Sequence, residues 1–255
     1  MKENITSGNI SICGMSDHIL IFGWIPNKTN KLVNMLQHRA KKVVIVSNDP
    51  NLEHPMLDEK VIFIRVADYI SNEHLDLLGL SQSKSVVVNT GDDAMNHLTT
   101  VAIANKLDKT PQSTTHIVVY AEDNNVQNIL ENANERIEVI NIHKEQLLSR
   151  SALFAGSSSC TEALINPKLT ATQYTLTLPE CVETMSFDEL AIKMREMFDV
   201  IIIGISEEHD KLGRELCLNP SRDYIIEGGE HIHYIANQPI NLSKKELEAQ
   251  LCSQK

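Results

Sequence analysis

Aromatic residues are scarce, 4% of 255 positions with a single tryptophan, so aliphatic side chains must carry the core. No apolar run approaches the roughly 20 residues that cross a membrane. The N-terminal MKENITSGNISICGMSD also lacks the apolar centre of a signal peptide. The expectation is a soluble chain, or a soluble piece cut from a membrane protein. Positive charge is short as well, with 23 Lys and Arg against 34 Asp and Glu and a formal net charge of −11. Basic pairs occur at Lys41-Lys42 and Lys244-Lys245, which argues against an extended nucleic-acid or anionic-membrane footprint. The five cysteines, Cys13, Cys160, Cys181, Cys217 and Cys252, are scattered and form no C-x-x-C pair. They are expected as reduced thiols of a cytoplasmic protein, not as a disulfide frame or zinc site. A catalytic set is missing too: Cys160 has no local histidine partner, and Ser157 to Ser159 lack a G-x-S-x-G context.

What the chain does have is a repeated unit, first seen in Asp17 to Asp49. His18 to Phe22 is nearly all apolar, as in a strand buried on both faces of a parallel sheet. Gly23 makes a tight turn, and from Asn27 the residues Leu32, Met35, Leu36 and Ala40 recur at helical spacing before a second strand, Lys42 to Val46. Such a βαβ unit normally cradles a pyrophosphate on G-x-G-x-x-G. Here Ile25 and Lys28 occupy the second and third glycine positions, with Pro26 between them, and the ribose-binding acid is displaced to Asp49 behind Ser47 and Asn48. The turn therefore argues against ordinary NAD binding, and Lys28 is expected as a solvated first-turn residue.

Further strands are expected at Val61 to Arg65, Ser85 to Asn89, His116 to Tyr120 and Ile137 to Ile140. Helices lie between them: one capped by Ser71 and ended by Gly79, one opened by Thr90-Gly91-Asp92-Asp93 with Ala94, Leu98, Val101 and Ala102 along one side, and one from Asp123 to Asn132. Strict alternation with short connections predicts a Rossmann-like, doubly wound parallel α/β sheet. Near residue 142 the pattern changes. His143 to Phe154 and Thr161 to Ile165 are expected as two helices separated by Gly156-Ser157-Ser158-Ser159. Beyond Pro167 follows a smaller α+β domain with strands at Gln173 to Leu178, Val200 to Ile205 and His231 to Ile235, a helix at Phe187 to Phe198 capped by Ser186, and a terminal helix from Ser243 to Leu251. The expected organisation is a linker at 1–16, a Rossmann-like domain at 17–141, a helical connector at 142–167 and a C-terminal domain at 168–255.

The order of these elements, with HILIFGW, VVVNTGDDAMNHLTTVAIANKL, VVYAEDNNVQNIL, LLSRS, VIIIGI and NPSRDYIIEGGEHIHYI along it, resembles the RCK domains (TrkA-N plus TrkA-C) that regulate potassium channels and transporters. Gly23-Trp24 looks more like the form fused to prokaryotic ligand-gated channels than like nucleotide-binding transporter subunits. The resemblance implies a non-catalytic cytoplasmic sensor that pairs through the connector helices. The pairs assemble into rings, usually of eight, below a tetrameric pore domain, and a small ligand or cation gates the pore by changing the ring. A transporter regulatory subunit is the close variant. An NAD-dependent oxidoreductase is the rival from another class.

In an open α/β sheet ligands sit beyond the carboxyl ends of the strands. That edge should carry Gly23, Trp24, Ser47, Asp49, Asp68, Asn89, Thr90, Glu122 and Asp123. Its carboxylates suit Ca²⁺, which takes about 6–8 oxygen ligands, so the ligand is left open between Ca²⁺ and a nucleotide. In calcium-gated relatives the acids at the ends of the fourth and fifth strands hold the ion, and these positions correspond to Asn89 and Glu122, with Asp123 beside them. Asp92 and Asp93 can instead cap a helix. His231 and His233, two apart on one face of an edge strand, are a further metal-binding possibility, weighed against plain surface histidines.

Overall fold

The computed structural model describes residues 11–252 apart from 13, 38–39, 41, 57, 59, 142–143, 167–170 and 211. Residues 1–10 of the expected linker, Cys13, Lys41, Leu57, His143 and Pro167 lie outside the described residues. The chain divides into two compact units, Met1–Ile142 and His143–Lys255, so the expected connector helices group with the second.

In the first unit the order is β1 (His18–Phe22), α1 (Lys28–Leu36), β2 (Lys42–Ser47), β3 (Val61–Arg65), α2 (Asn72–Asp76), a 3-10 turn at Leu80–Gln82, β4 (Ser85–Val88), α3 (Asp93–Leu107), β5 (His116–Tyr120), α4 (Asn124–Ala133) and β6 (Ile137–Ile140). The strands form one parallel sheet, β3-β2-β1-β4-β5-β6. The doubly wound Rossmann-like sheet anticipated above is therefore present, with the order reversing between β1 and β4. Side-chain parity divides the core. Leu20 and Phe22 of β1 join Ile103, Leu107 and Leu130 of α3 and α4 on one side, while Ile21 joins Val33 of α1 and Phe63 of β3 on the other. Each such residue contributes about 1.5–3 kcal/mol by leaving water. Part of the expected linker is core, because Ile12 is buried and its N–H bonds the Leu77 carbonyl at 2.8 Å.

His18 is fully buried at the start of β1, with Nε2 3.1 Å from the Leu78 carbonyl. Burial pushes its pKa down, against the carbonyl bond and the Asp17 carboxylate, and burial likewise lowers His54. A lowered folded-state pKa means that the fold favours neutral imidazole. Stability is therefore complete above the ordinary value of about 6.5 and lost as pH falls below it. Denaturant titrations should give a flat unfolding free energy from pH 8 to 7 and a decline from pH 6.5 to 5.5, less steep in His18→Asn; equal slopes would exclude His18 as the cause.

The second unit contains α5 (Lys144–Leu153), α6 (Ser157–Ile165), β7 (Thr172–Thr177), β8 (Met185–Ser186), α7 (Phe187–Phe198), β9 (Ile201–Ser206), β10 (Cys217–Leu218), β11 (Ile225–Ile226), β12 (His231–Ala236) and α8 (Lys244–Leu251). The antiparallel sheet runs β10-β9-β12-β7, beside a two-stranded β11-β8 pair. Ser186 and Ser243 begin α7 and α8 with capping boxes closed by Glu189 and Glu246. Two expectations change. The serines at 157–159 belong to α6, so only the turn ending at Gly156, in the left-handed region, separates the helices. The cysteines are not all reduced: Cys181 and Cys252 form a disulfide with Cα atoms 5.6 Å apart, while Cys160 and Cys217 are free and exposed. A sequence separation of 71 concealed the proximity of the paired cysteines.

Candidate functional site

The switch point between β1 and β4 is where a dinucleotide would lie. Gly23, at φ +102°, leaves β1 there, and a Cβ built on it would stand 2.3 Å from the Asn89 carbonyl oxygen and 2.6 Å from the Thr90 Cα. The β4 loop therefore rests directly on Gly23. Ile25, at the second glycine position, sends its side chain across to Gly91, within 3.4 Å of where a Cβ on that glycine would be.

Four backbone donors around the turn into α1 are bonded locally. Gly23 N–H bonds the Val46 carbonyl at 3.0 Å, Ile25 N–H bonds Thr29 Oγ1 at 2.9 Å, and the Lys28 and Thr29 N–H groups bond the Ile25 carbonyl. Pro26 has no N–H to offer. A pyrophosphate cradle needs those donors free, so this turn is built to close on itself. Lys28 is exposed, as expected. The Trp24 indole packs, half-buried, on the cluster of Ile21, Val33 and Phe63, which covers the sheet.

At the ends of β2 and β3, Ser47 is buried, with its Oγ accepting the Asp49 N–H at 3.1 Å, and Tyr69 Oη accepts the Asn48 N–H at 3.0 Å. Burial pushes the Tyr69 hydroxyl pKa up. Asp49 Oδ1 closes a turn on Asn51 N–H at 2.9 Å. Asp68 Oδ1 accepts the Ile70 and Ser71 N–H groups at 2.9 and 2.6 Å, and Oδ2 lies 3.3 Å from His74 Nδ1. Those backbone bonds, Ser71 first, hold the Asp68 carboxyl below its ordinary range. Asp68 thus organises its own loop.

The ends of β4 and β5 are joined more closely. Asn96, fully buried in the first turns of α3, accepts the Thr90 N–H at 2.7 Å and the Thr90 hydroxyl at 2.8 Å, and its Nδ2 donates to the Tyr120 carbonyl at 2.9 Å. Asp92 caps α3 through the Met95 N–H. Asp93 Oδ2 accepts the Glu122 and Asp123 N–H groups at 2.9 and 2.7 Å, and Asp123 Oδ1 caps α4 through Asn125 and Val126. Partial burial, followed by the Glu122 and Asp93 carboxylates, pushes the Tyr120 hydroxyl pKa up.

The structure thus brings Gly23, Asn89 and Thr90 into contact and gathers Glu122 and Asp123 around Asp93. Ser47 and Asp49 form a separate group with Asp68 through Tyr69. Among the described residues no group of three or more His, Cys, Asp or Glu side chains is placed to hold a metal ion. Sequence reasoning missed Asn96 and Tyr69 as organisers of this rim and took Asp93 for a helix cap, whereas its carboxylate holds the Glu122–Asp123 loop; the one signal was Asn96 at helical spacing from the cap Asp92.

The two histidines of β12 prove to be structural. The strand is central, not an edge, and all four ring nitrogens have partners. His231 meets Thr177 Oγ1 at 2.9 Å and the Glu208 carbonyl at 3.0 Å; His233 meets Thr175 Oγ1 at 3.1 Å and Ser206 Oγ at 3.0 Å. Burial, then the neighbouring His231, lowers the His233 pKa. Ser206 is buried and gives its proton to the Asp210 carbonyl, so the Ser206–His233 contact is no nucleophile pair. The loop these histidines hold walls a cleft of about 640 Å³ lined by Glu207, Glu208, His209, Tyr224, Glu227 and Glu230.

Residues 19–141 match the family model of the TrkA-N domain, which spans the first unit's sheet. The N-terminal unit is a TrkA-N domain. No curated protein sequence matches the chain. Among solved structures, the human SLO3 gating ring is similar over 92% of this chain and 46% of its own, at 14% identity and a TM-score of 0.58. The GsuK channel bound to NAD aligns over 92% of this chain and 38% of that one, at 17% identity and a TM-score of 0.42, too low to carry an argument. The chain spans less than half the length of the solved chains it matches. The RCK resemblance drawn from the sequence therefore holds at the level of domain and fold. Among the described residues no helix is long and apolar enough to cross a membrane.

Proposed function

We propose that this chain is a regulatory gating-ring domain of a potassium channel, cytoplasmic and non-catalytic, which couples a small ligand or cation at the TrkA-N rim to a pore domain through its own oligomer. The observation that carries this reading is the connector pair. Neither α5 nor α6 has a buried residue, and Leu148, Leu153, Phe154 and Ile165 are 70%, 72%, 66% and 55% exposed. Helices of ten and nine residues do not hold their shape in water without a packed face. A second copy of the same helices would supply one by a two-fold, self-complementary contact.

Closing such pairs into a ring, with eight copies the expected number, needs a second, different face. Leu98 of α3 and Ile129 of α4, on adjacent helices and each more than half exposed, suit that role.

For the sensor we retain the rim of Gly23, Trp24, Ser47, Asp49, Asp68, Asn89, Thr90, Glu122 and Asp123. Ile25 and the β4 loop fill the crevice in which a dinucleotide would lie across Gly23, which leaves a cation or a compact ligand at the β4–β5 end. Asp93 and Asp123 accept backbone N–H groups there, and Glu122 is the exposed carboxylate beside them. Ca²⁺ is therefore the first ligand to test, and nucleotides the second.

Thermal unfolding with Ca²⁺, Mg²⁺, Na⁺, ADP, ATP, NAD or NADH, with mass followed by light scattering, tests the reading. A bound ligand at about one hundred times its dissociation constant adds about 2.7 kcal/mol. A Ca²⁺ response absent from Glu122→Gln would support cation sensing at the rim. A flat response to every compound would remove the rim as a sensor for them, and a monomeric chain throughout would remove the gating-ring reading.

A further inference from the structure

We propose that Cys181 and Cys252 form a reversible redox latch that fastens the C-terminal helix α8 to the wall of the acidic cleft. Cys252 directly follows α8, a helix of eight residues, too short to persist alone in water. Besides its capping box, the helix is seated by Leu247 and Leu251 in the cluster that holds Leu190 and Met194, and by Lys193 Nζ donating to the Leu251 carbonyl at 2.7 Å. The disulfide is the covalent member of this set.

At its other end Cys181 follows Glu180, whose backbone packs against Gly228; a Cβ there would lie 2.6 Å from the Glu180 carbonyl oxygen. The Glu180 carboxylate faces Gly229. Leu178 N–H bonds the Glu230 carbonyl at 2.8 Å, and Gly229 N–H bonds the Leu178 carbonyl at 3.1 Å. The disulfide thus joins α8 to a segment bonded to the 227–230 turn of the cleft. Opening it leaves α8 on its capping box, two leucines and one lysine bond.

The pair is accessible to exchange, since Cys181 is exposed and Cys252 half-buried. The co-reactant is a small-molecule disulfide of the glutathione class. The Cys181 thiolate attacks one of its sulfurs and releases one small thiolate. The Cys252 thiolate then attacks the Cys181 sulfur of the mixed disulfide and releases the second. The two protein thiols are oxidised by two electrons, the small disulfide is reduced to two thiols, and the two protons end on those thiols. Reduction runs the same steps backwards. In a reducing compartment a disulfide of this kind is characteristically a transient, redox-sensing one.

The test is to equilibrate the whole purified chain in glutathione buffers from fully reduced to fully oxidised. Differential alkylation with mass detection reads the thiols, and amide hydrogen exchange reads residues 244–251. The latch predicts that Cys181 and Cys252 become protected together as a linked pair, while Cys160 and Cys217 end as separate adducts. Reduction should speed exchange over 244–251 by about tenfold or more, the mark of a locally opening element. Cys252→Ser in oxidised buffer should reproduce the reduced pattern, and Cys217→Ser should not. Independent modification of Cys181 and Cys252, a disulfide that survives full reduction, or equal exchange in both states would each overturn the proposal. None of these readouts involves a pore or the rim ligand, so the latch and the gating-ring reading fail separately.

Discussion

Gly23→Ala is expected to destabilise the TrkA-N unit by more than about 3 kcal/mol, from two costs at one atom. At φ +102° an L-residue is strained, a cost of about 1–3 kcal/mol. The new Cβ also falls 2.3 Å from the Asn89 carbonyl oxygen, inside any real contact distance, and the residues just before both positions, Phe22 and Val88, are paired in the parallel sheet. Something must move, and the movable part is the Asn89–Thr90 loop of the rim. Gly91→Ala separates the two costs. Its φ is +89°, but its Cβ would meet only Ile25 at 3.4 Å, so the strain appears without the collision and the loss should stay near about 1–2 kcal/mol. Urea unfolding followed by Trp24 fluorescence reads this unit selectively, because Trp24 is the single tryptophan. That selectivity matters in a chain of two units, where a global transition need not be two-state. Against a typical total of about 5–15 kcal/mol, the Gly23 variant should show a clearly lowered midpoint. An unchanged one would mean that the β4 loop does not bear on Gly23.

The strands of this sheet were legible because each is a run of aliphatics buried on both faces, a pattern that few other settings require. The helix face of α3 was not. Counting apolar residues selects Ala94, Leu98, Val101 and Ala102, yet the buried side is Asn96, Thr99, Thr100, Ile103, Ala104 and Leu107, with Leu98 outward. Periodicity counts polarity, whereas burial also admits a bonded polar group, as Asn96 is between Thr90 and Tyr120, and here it takes in Thr99 and Thr100 as well, whose hydroxyls have no hydrogen-bond partner among the described residues. The same limit explains the rim. The sequence shows which carboxylates reach the strand ends, but not that Asp68, Asp93 and Asp123 bind backbone N–H groups there. His231 and His233 looked like edge residues because nothing local marks β12 as the strand between β9 and β7. The Cys181–Cys252 bond depends on a chain reversal across 71 residues, which no spacing rule encodes.

The double substitution Leu148→Glu, Phe154→Glu is expected to convert the proposed oligomer to monomer while leaving the fold of each unit intact. Both side chains are two-thirds exposed or more in the single chain, and such surface changes alter folding by about 0.5 kcal/mol or less. At a two-fold contact the effect is multiplied, because each pair would bury four new carboxylates. Leaving a charge buried and unpaired costs about 3–5 kcal/mol, and every 1.4 kcal/mol is about tenfold in dissociation constant. A weakening of at least about a thousandfold follows, enough to move a micromolar sample from paired to single chains. Light scattering should therefore give the monomer mass for the variant and a dimer or larger for the parent, with superimposable Trp24 unfolding curves. Leu98→Glu with Ile129→Glu should act differently, preserving pairs and abolishing species beyond them, because those residues lie on a separate helical face of the first unit. If the connector variant kept its parent's mass, α5 and α6 would have to find their cover elsewhere, and the proposed coupling from rim to pore would lose its first joint.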